Sequence, residues 1–164
     1  MNTEHYECVK SIIESDRIGS CRMARIYRGL AVENVSRKDA LASVLYDDME
    51  FILDILGDVD RVYAKSVDFY NTIVIMKHEN KSLSHISVNL YDEHVLETFR
   101  LEVAGTKGLI EYDSDKESTI LYHRKQNTSL KELEFNDVDK RNRKDVQDVI
   151  LKIFEAVDLK EVLL

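Results

Sequence analysis

"EVAGTKGLIEYD", Glu102 to Asp113, decides how the rest of the chain is read. It has the form of a strand, a tight turn between Gly105 and Gly108, and a second strand. Outward from this hairpin the period stays at two. "RVYAKSVDF", "NTIVIMKHE", "LSHISVNLYD" and "LETFRLEVAG" lead up to it, and "KGLIEYDS", "STILYHR" and "LKELEF" continue from it. These segments are rich in β-branched and aromatic residues and are separated by short polar turns. About seven strands are therefore expected, mainly antiparallel because the connections are short.

Towards the ends the pattern becomes helical. Tyr6, Val9, Ile12 and Ile13 recur at helical spacing and stop before Gly19. "CRMARIYRGL" follows as a strand. Ser36 or Asp39 is placed to cap a central helix whose apolar residues Leu41, Val44, Leu45, Phe51, Ile52, Ile55 and Leu56 run to Gly57. Val146, Val149, Ile150, Ile153, Phe154 and Val157 mark a closing amphipathic helix.

This order predicts an α+β fold, a single large mainly antiparallel sheet of about six to eight strands with helices on one face. Residues 1–164 are expected to form a single domain, since no proline, linker or low-complexity stretch interrupts them. Helices on one side leave the other face of the sheet wet or covered by a second molecule. Ile73, Val74, Ile75 and Met76 in succession make both faces of one strand apolar. That pattern predicts burial on both sides, and with it a homodimer formed through the open sheet face.

A chain of 164 residues can bury about two thirds of its unfolded surface, enough for a core without staples. Its formal charge of −8 opposes binding to a phosphate backbone, so nucleic acid is not an expected partner. "KRNRK", Lys140 to Lys144, is a local exception and reads as a solvated helix entry. No apolar run is long enough to span a bilayer. The opening "MNTEHYECVK" lacks the basic start and apolar stretch of a secretory signal, so a cytoplasmic location is expected. Cys8 and Cys21 form no CxxC pair and read as structural thiols.

Three segments, taken in order, carry a family resemblance. "YECVKSIIESDRIGSCRMARIYRG" resembles the passage from the nucleotide-binding domain into the second domain in the glucose-fructose oxidoreductase, inositol dehydrogenase and MocA family. "DILGDVDRVYAKS" resembles the segment that leaves that family's central helix, and "AGTKGLIEYD" its glycine-containing hairpin. The resemblance runs from about Tyr6 to Val157 and covers only the second half of a full family member. It implies an oxidoreductase-type second domain without the nucleotide-binding domain. No G-x-G-x-x-G turn occurs among the five glycines, and the family's glutamate-lysine-proline motif is impossible in a chain without proline. Cofactor binding thus has no seat in this chain, and NAD(P) would enter only with a partner that supplies a nucleotide-binding domain.

The family's central helix carries an aspartate, a glycine and a histidine at alternate positions. Aligned on "LGDVDRVYA", the aspartate falls on Ser43, the glycine on Leu45 and the histidine on Asp47; the acidic residue that follows corresponds to Glu50. No confident catalytic residue follows from this. Histidine carries protons near neutrality, and neither an exposed aspartate nor a serine without a base replaces it. Asp47, Glu50 and Asp54 lie along one helical face, where three carboxylates could hold a cation or share acid and base roles, but in so acidic a chain the stripe reads as solvated. No metal site is expected. Asp48 falls on the apolar side and needs a hydrogen-bonding partner if buried.

Other chemistry is weakly signalled. His5, His78, His85, His94 and His123 form no metal-binding pair, although His78, His85 and His94 could cluster at the surface. No G-x-S-x-G elbow occurs. Tyr63, Tyr70, Tyr91, Phe99, Tyr112 and Tyr122 read as sheet packing. Three functions are compatible with the sequence. The first is a noncatalytic oligomerisation or interaction module with a degenerate dehydrogenase site. The second is half of a split or truncated NAD(P)-dependent sugar or cyclitol oxidoreductase completed by a separate Rossmann-domain protein, docking on an apolar patch of the first and central helices. The third is a small-ligand or sugar-binding protein with a pocket around Ser43, Asp47 and Glu50.

Overall fold

The computed structural model describes residues 3–33, 35–92, 96–116, 118–123, 126–129 and 143–161. The chain runs α1 (Thr3–Glu14), β1 (Cys21–Ala31), α2 (Arg37–Leu56), β2 (Val59–Val67), β3 (Asn71–His78), β4 (Leu83–Tyr91), β5 (Thr98–Gly105), β6 (Gly108–Asp113), β7 (Ser118–His123), β8 (Gln126–Ser129) and α3 (Arg143–Glu161). A 3-10 turn, Ser114–Lys116, follows β6. The fold is α+β, as the order of periods predicts.

The strands form one eight-stranded sheet in the order β2-β3-β4-β1-β5-β6-β7-β8. Every neighbouring pair is antiparallel except β1 with β4, which run parallel with Ile26 opposite Ile86. The exception follows from the connection: α2 carries the chain from β1 to the sheet edge, and two hairpins bring it back. A parallel neighbour needs such a long crossover. β8 is an addition to the expected strands. Its residues "QNTS" carry no apolar alternation, and it joins the sheet through backbone pairing with β7, Leu121 opposite Thr128. "LKELEF", His94 and the first three residues of "KRNRK" lie outside the described residues, as do the side chains of His5, Tyr122 and His123.

Alternation sorts each strand into two faces. On β3, Thr72, Val74, Met76 and His78 are buried while Asn71, Ile73, Ile75 and Lys77 are exposed. Ala24, Ile26, Val74, Met76, Ile86, Val88, Leu101, Val103 and Ile110 meet Val9 and Ile12 of α1, Leu45, Met49 and Ile52 of α2, and Val149 and Ile153 of α3 in one core. Each of these side chains larger than alanine stabilises the fold by roughly 1.5 to 3 kcal/mol. Ser36 caps α2, its hydroxyl accepting from the Asp39 amide at 3.1 Å. Gly57, with φ of 80°, ends the helix, its amide donating to the Leu53 carbonyl.

The end of α2 is fastened to the β3–β4 hairpin by polar groups. His78 is fully buried. Its Nδ1 lies 2.8 Å from the Gly57 carbonyl oxygen and its Nε2 2.9 Å from the Ser84 hydroxyl. A carbonyl only accepts, so Nδ1 carries the proton and Nε2 accepts from Ser84. Asn80 donates to the Leu56 carbonyl at 2.7 Å beside it. Burial pushes the His78 pKa down, against the smaller upward pull of its contacts at Gly57 and Asp58. The unfolded chain therefore binds more protons once the pH falls below about 6.5, and stability is lost as pH decreases through that value. Urea unfolding between pH 7.5 and 5 is expected to show this fall in wild type and a shallower one in His78→Gln. Equal slopes would remove His78 from the account.

Candidate functional site

A cavity of about 340 Å³ opens between the N-terminal half of α2 and the sheet, lined by Arg28, Leu30, Ser43, Val44, Asp47, Glu97, Thr98, Phe99, Tyr112 and Ser114. Ser43 and Asp47 are one helical turn apart and exposed, so both reach it from α2. Glu50 is half-buried and does not line it. Asp54, the last carboxylate of the stripe, forms an ion pair with Lys10 of α1. Thus the structure divides the acidic stripe among three environments. No group of three or more metal-ligating side chains occurs among the described residues.

Beneath the cavity lies a buried ionic cluster. Asp48 is fully buried, and Arg28 is 7% exposed. Arg28 Nε donates to both Asp48 oxygens, at 3.0 and 2.8 Å, and its Nη2 donates to Oδ1 as well. The Tyr6 hydroxyl donates to the same Oδ1 at 2.6 Å. The hydrogen-bonding partner that Asp48 requires is therefore a strand arginine together with a phenol from α1. Burial alone would pull the Arg28 pKa down, but hydrogen bonding to Asp48 and its charge outweigh this and hold it above the ordinary value. Burial first, and the charge of Asp48 second, push the Tyr6 phenol well above its ordinary pKa. Aromatic rings enclose the cluster: Arg28 lies 4.6 Å from the Phe99 centroid, and Tyr6 stacks on Phe51 at 4.1 Å.

This arrangement limits the chemistry. Among the described lining residues there is no histidine, lysine or cysteine, so the imidazole that ordinarily carries protons near neutrality is not among them. Arg28 is committed to Asp48. What remains is a polar, partly aromatic hollow whose lining combines the carboxylates of Asp47 and Glu97 with the hydroxyls of Ser43 and Thr98.

The other singled-out residues fall elsewhere. His78 and His85 do not cluster. They have opposite strand parity, which puts His78 in the core and His85 on the open face, 5.6 Å from the Tyr27 ring. Burial and the Arg25 charge lower the His85 pKa. Phe99 and Tyr112 pack together at 5.8 Å on the core side, whereas Tyr63 and Tyr91 stand on the open face. Tyr70 lies under Arg37, whose guanidinium is 3.5 Å from the ring centroid and also bonds Asp92. Cys8 is buried and Cys21 half-buried; both are free thiols, and burial raises the pKa of each, that of Cys21 to about 11. No helix among the described residues is long and apolar enough to cross a membrane.

Arg28 and Glu97 were not marked by motif. Arg28 had a local signal: in "CRMARIYRGL" it shares the parity of Ala24 and Ile26, and an arginine on the core side of a strand requires a buried carboxylate. Glu97 had none, because it enters the cavity from a connection.

No family model and no curated protein matches the chain. Solved structures do. A Thermotoga maritima protein provisionally assigned as an oxidoreductase superposes with a TM-score of 0.75 at 14% identity, over 94% of this chain and 58% of its own. UDP-N-acetylglucosamine 3-dehydrogenase from Acidithiobacillus ferrooxidans gives 0.72 at 13%, over 94% and 59%. An Agrobacterium radiobacter oxidoreductase, solved with NAD+, L-tartaric acid and magnesium, gives 0.63 at 18%, over 92% and 49%. The fold is that of the C-terminal domain of glucose-fructose oxidoreductase, inositol dehydrogenase and MocA type oxidoreductases. This chain spans only about half to three fifths of the proteins it superposes on.

Proposed function

We propose that this chain is a noncatalytic association module, which keeps the sheet of an oxidoreductase second domain and has lost the dehydrogenase site. The observation that carries the reading is the asymmetry between its two surfaces. On the open face, Tyr27, Tyr63, Val67, Ile73, Ile75, Leu83 and Tyr91 are all exposed, the two isoleucines by 43% each. They are contiguous: the register sets Tyr63 opposite Ile75 on β2 and β3, and Ile75 opposite His85 on β4. A contiguous apolar patch marks an interaction surface. By contrast, no large hydrophobic side chain is exposed among the described residues of α1 and α2, the docking site that a split oxidoreductase requires. That reading, with NAD(P) carried by a separate Rossmann-domain protein, has less support.

The cavity supports the second half of the proposal. By the alignment through "LGDVDRVYA", Ser43 and Asp47 fall on the family's aspartate and histidine positions, and no histidine or lysine stands among the described lining residues. Sedimentation velocity tests association. Wild type is expected to sediment as a dimer at micromolar concentration and Ile73→Lys/Ile75→Lys as a monomer with unchanged circular dichroism. Both isoleucines are exposed in the single chain, so folding alone does not require them. A variant that still dimerises would overturn the assignment to this face.

A further inference from the structure

His85 stands inside the apolar patch of the open face, half-buried within the single chain, and its imidazole is the one side chain of that patch whose ordinary pKa lies near neutrality. The described helices pack on the other face of the sheet. On β3, Ile75 lies opposite His85, and Lys77 stands opposite Leu83 beside it. On β1, Arg25 lies opposite, and the Tyr27 ring is 5.6 Å away. Further out, β2 brings Tyr63 opposite Ile75 and Lys65 opposite Ile73, while β5 brings Glu102 opposite Arg25 and Arg100 opposite Tyr27. The carboxylates at this level are already engaged: Glu102 pairs with Arg25 at 3.4 Å and Asp60 with Lys77 at 3.3 Å. Neither residue in register with His85 is acidic, so a proton on its ring meets a guanidinium on one side and an isoleucine on the other.

A neutral imidazole fits among these tyrosine and isoleucine side chains as a small ring, whereas an imidazolium covered by a second copy is a desolvated charge beside Arg25. A two-fold interface presents the same patch from both copies and covers two such rings at once. We propose that His85 controls self-association through the open face: two copies close over neutral imidazoles and separate when the rings take up protons. The inference rests on the association reading and adds its regulation. Burial and the Arg25 charge already lower the His85 pKa in the single chain, and covering by a second copy lowers it further. The free chain therefore binds more protons than the dimer, and affinity is lost as pH falls through the free-chain value, which lies below the ordinary value of about 6.5.

Sedimentation velocity of the whole chain over a concentration series, at pH 7.5 and at pH 5.5, tests it. The dimer dissociation constant of wild type is expected to rise about ten-fold or more at the lower pH, since linkage through two rings allows up to about a hundred-fold per pH unit. His85→Gln should dimerise at both pH values, its constant changing by less than about three-fold. His85→Lys fixes a charge in the patch and should be monomeric at both. Circular dichroism at each pH checks that every form is folded, because protonation of the buried His78 also weakens the chain. A wild-type constant that is the same at both pH values, or a His85→Gln constant that rises as much as that of wild type, would overturn the proposal and leave the association reading standing. Wild type that is already monomeric at pH 7.5 would overturn both, so the two failures are distinguishable.

Discussion

Asp48→Ala is expected to destabilise the fold by about 3 to 5 kcal/mol, the largest effect of any single substitution considered. The substitution leaves the Arg28 guanidinium buried at 7% exposure without its carboxylate, and removes the acceptor for the Tyr6 hydroxyl. Set against a total stability of roughly 5 to 15 kcal/mol, this is a fifth or more of the whole. Tyr6→Phe removes the hydrogen bond to Asp48 and the acceptor for Arg28 Nη2 at 3.3 Å, and should cost about 1.5 to 3 kcal/mol. Arg28→Met combined with Asp48→Ala should recover much of the loss, because the penalty lies in the orphaned charge rather than in the absence of the pair. Urea unfolding of the three variants measures this. A loss below about 1 kcal/mol for Asp48→Ala would mean that the cluster is open to water.

Gly105→Ala is the second, with an expected loss of about 1 to 3 kcal/mol from overpacking. A Cβ at this position would meet the Ile18 carbonyl group, approaching its carbon to 2.9 Å and its oxygen more closely still. That carbonyl cannot withdraw, because it accepts from the Lys107 amide at 2.8 Å, while the Thr106 amide donates to Ser20 at 3.1 Å. The hairpin tip is therefore clamped to the turn between α1 and β1. Gly57→Ala separates steric from backbone cost, since Gly57 lies at φ 80° and ψ −165°. A Cβ there meets nothing within 4 Å, so its cost, about 1 to 3 kcal/mol, is the backbone penalty of that conformation alone. If Gly105→Ala were harmless while Gly57→Ala was not, the clamp would be refuted.

The Glu102–Asp113 hairpin thus belongs to the architecture of the sheet. Its two strands were legible because Val103, Ile110 and Tyr112 alternate with more exposed neighbours. The core of α2 was legible for the same reason at helical period. The parallel pairing of β1 with β4 was not, since two strands separated by a helix and two hairpins carry no local signal of adjacency. β8 escaped because its polar residues contribute backbone pairing and no apolar pattern.

The site was legible in part. The alignment through "LGDVDRVYA" brought Ser43 and Asp47 together, and both line the cavity, while Glu50 stands outside it. The need of Asp48 for a partner follows from its helical position; the partner, Arg28, lies on a distant strand and is marked only by sharing the parity of Ala24 and Ile26. His78 shows the same lesson in reverse. Its place at the end of a strand suggested a surface group, and only the count by twos along "NTIVIMKHE" puts it with Val74 and Met76 in the core.

Self-assembly of this chain, rather than assembly with a nucleotide-binding partner, is what we propose. Its most direct test is the native mass and composition of the complex isolated from source cells, by light scattering and peptide identification. The account predicts a homodimer of twice the 19.1 kDa chain. Equal amounts of this chain and a nucleotide-binding chain would contradict it and establish a split oxidoreductase.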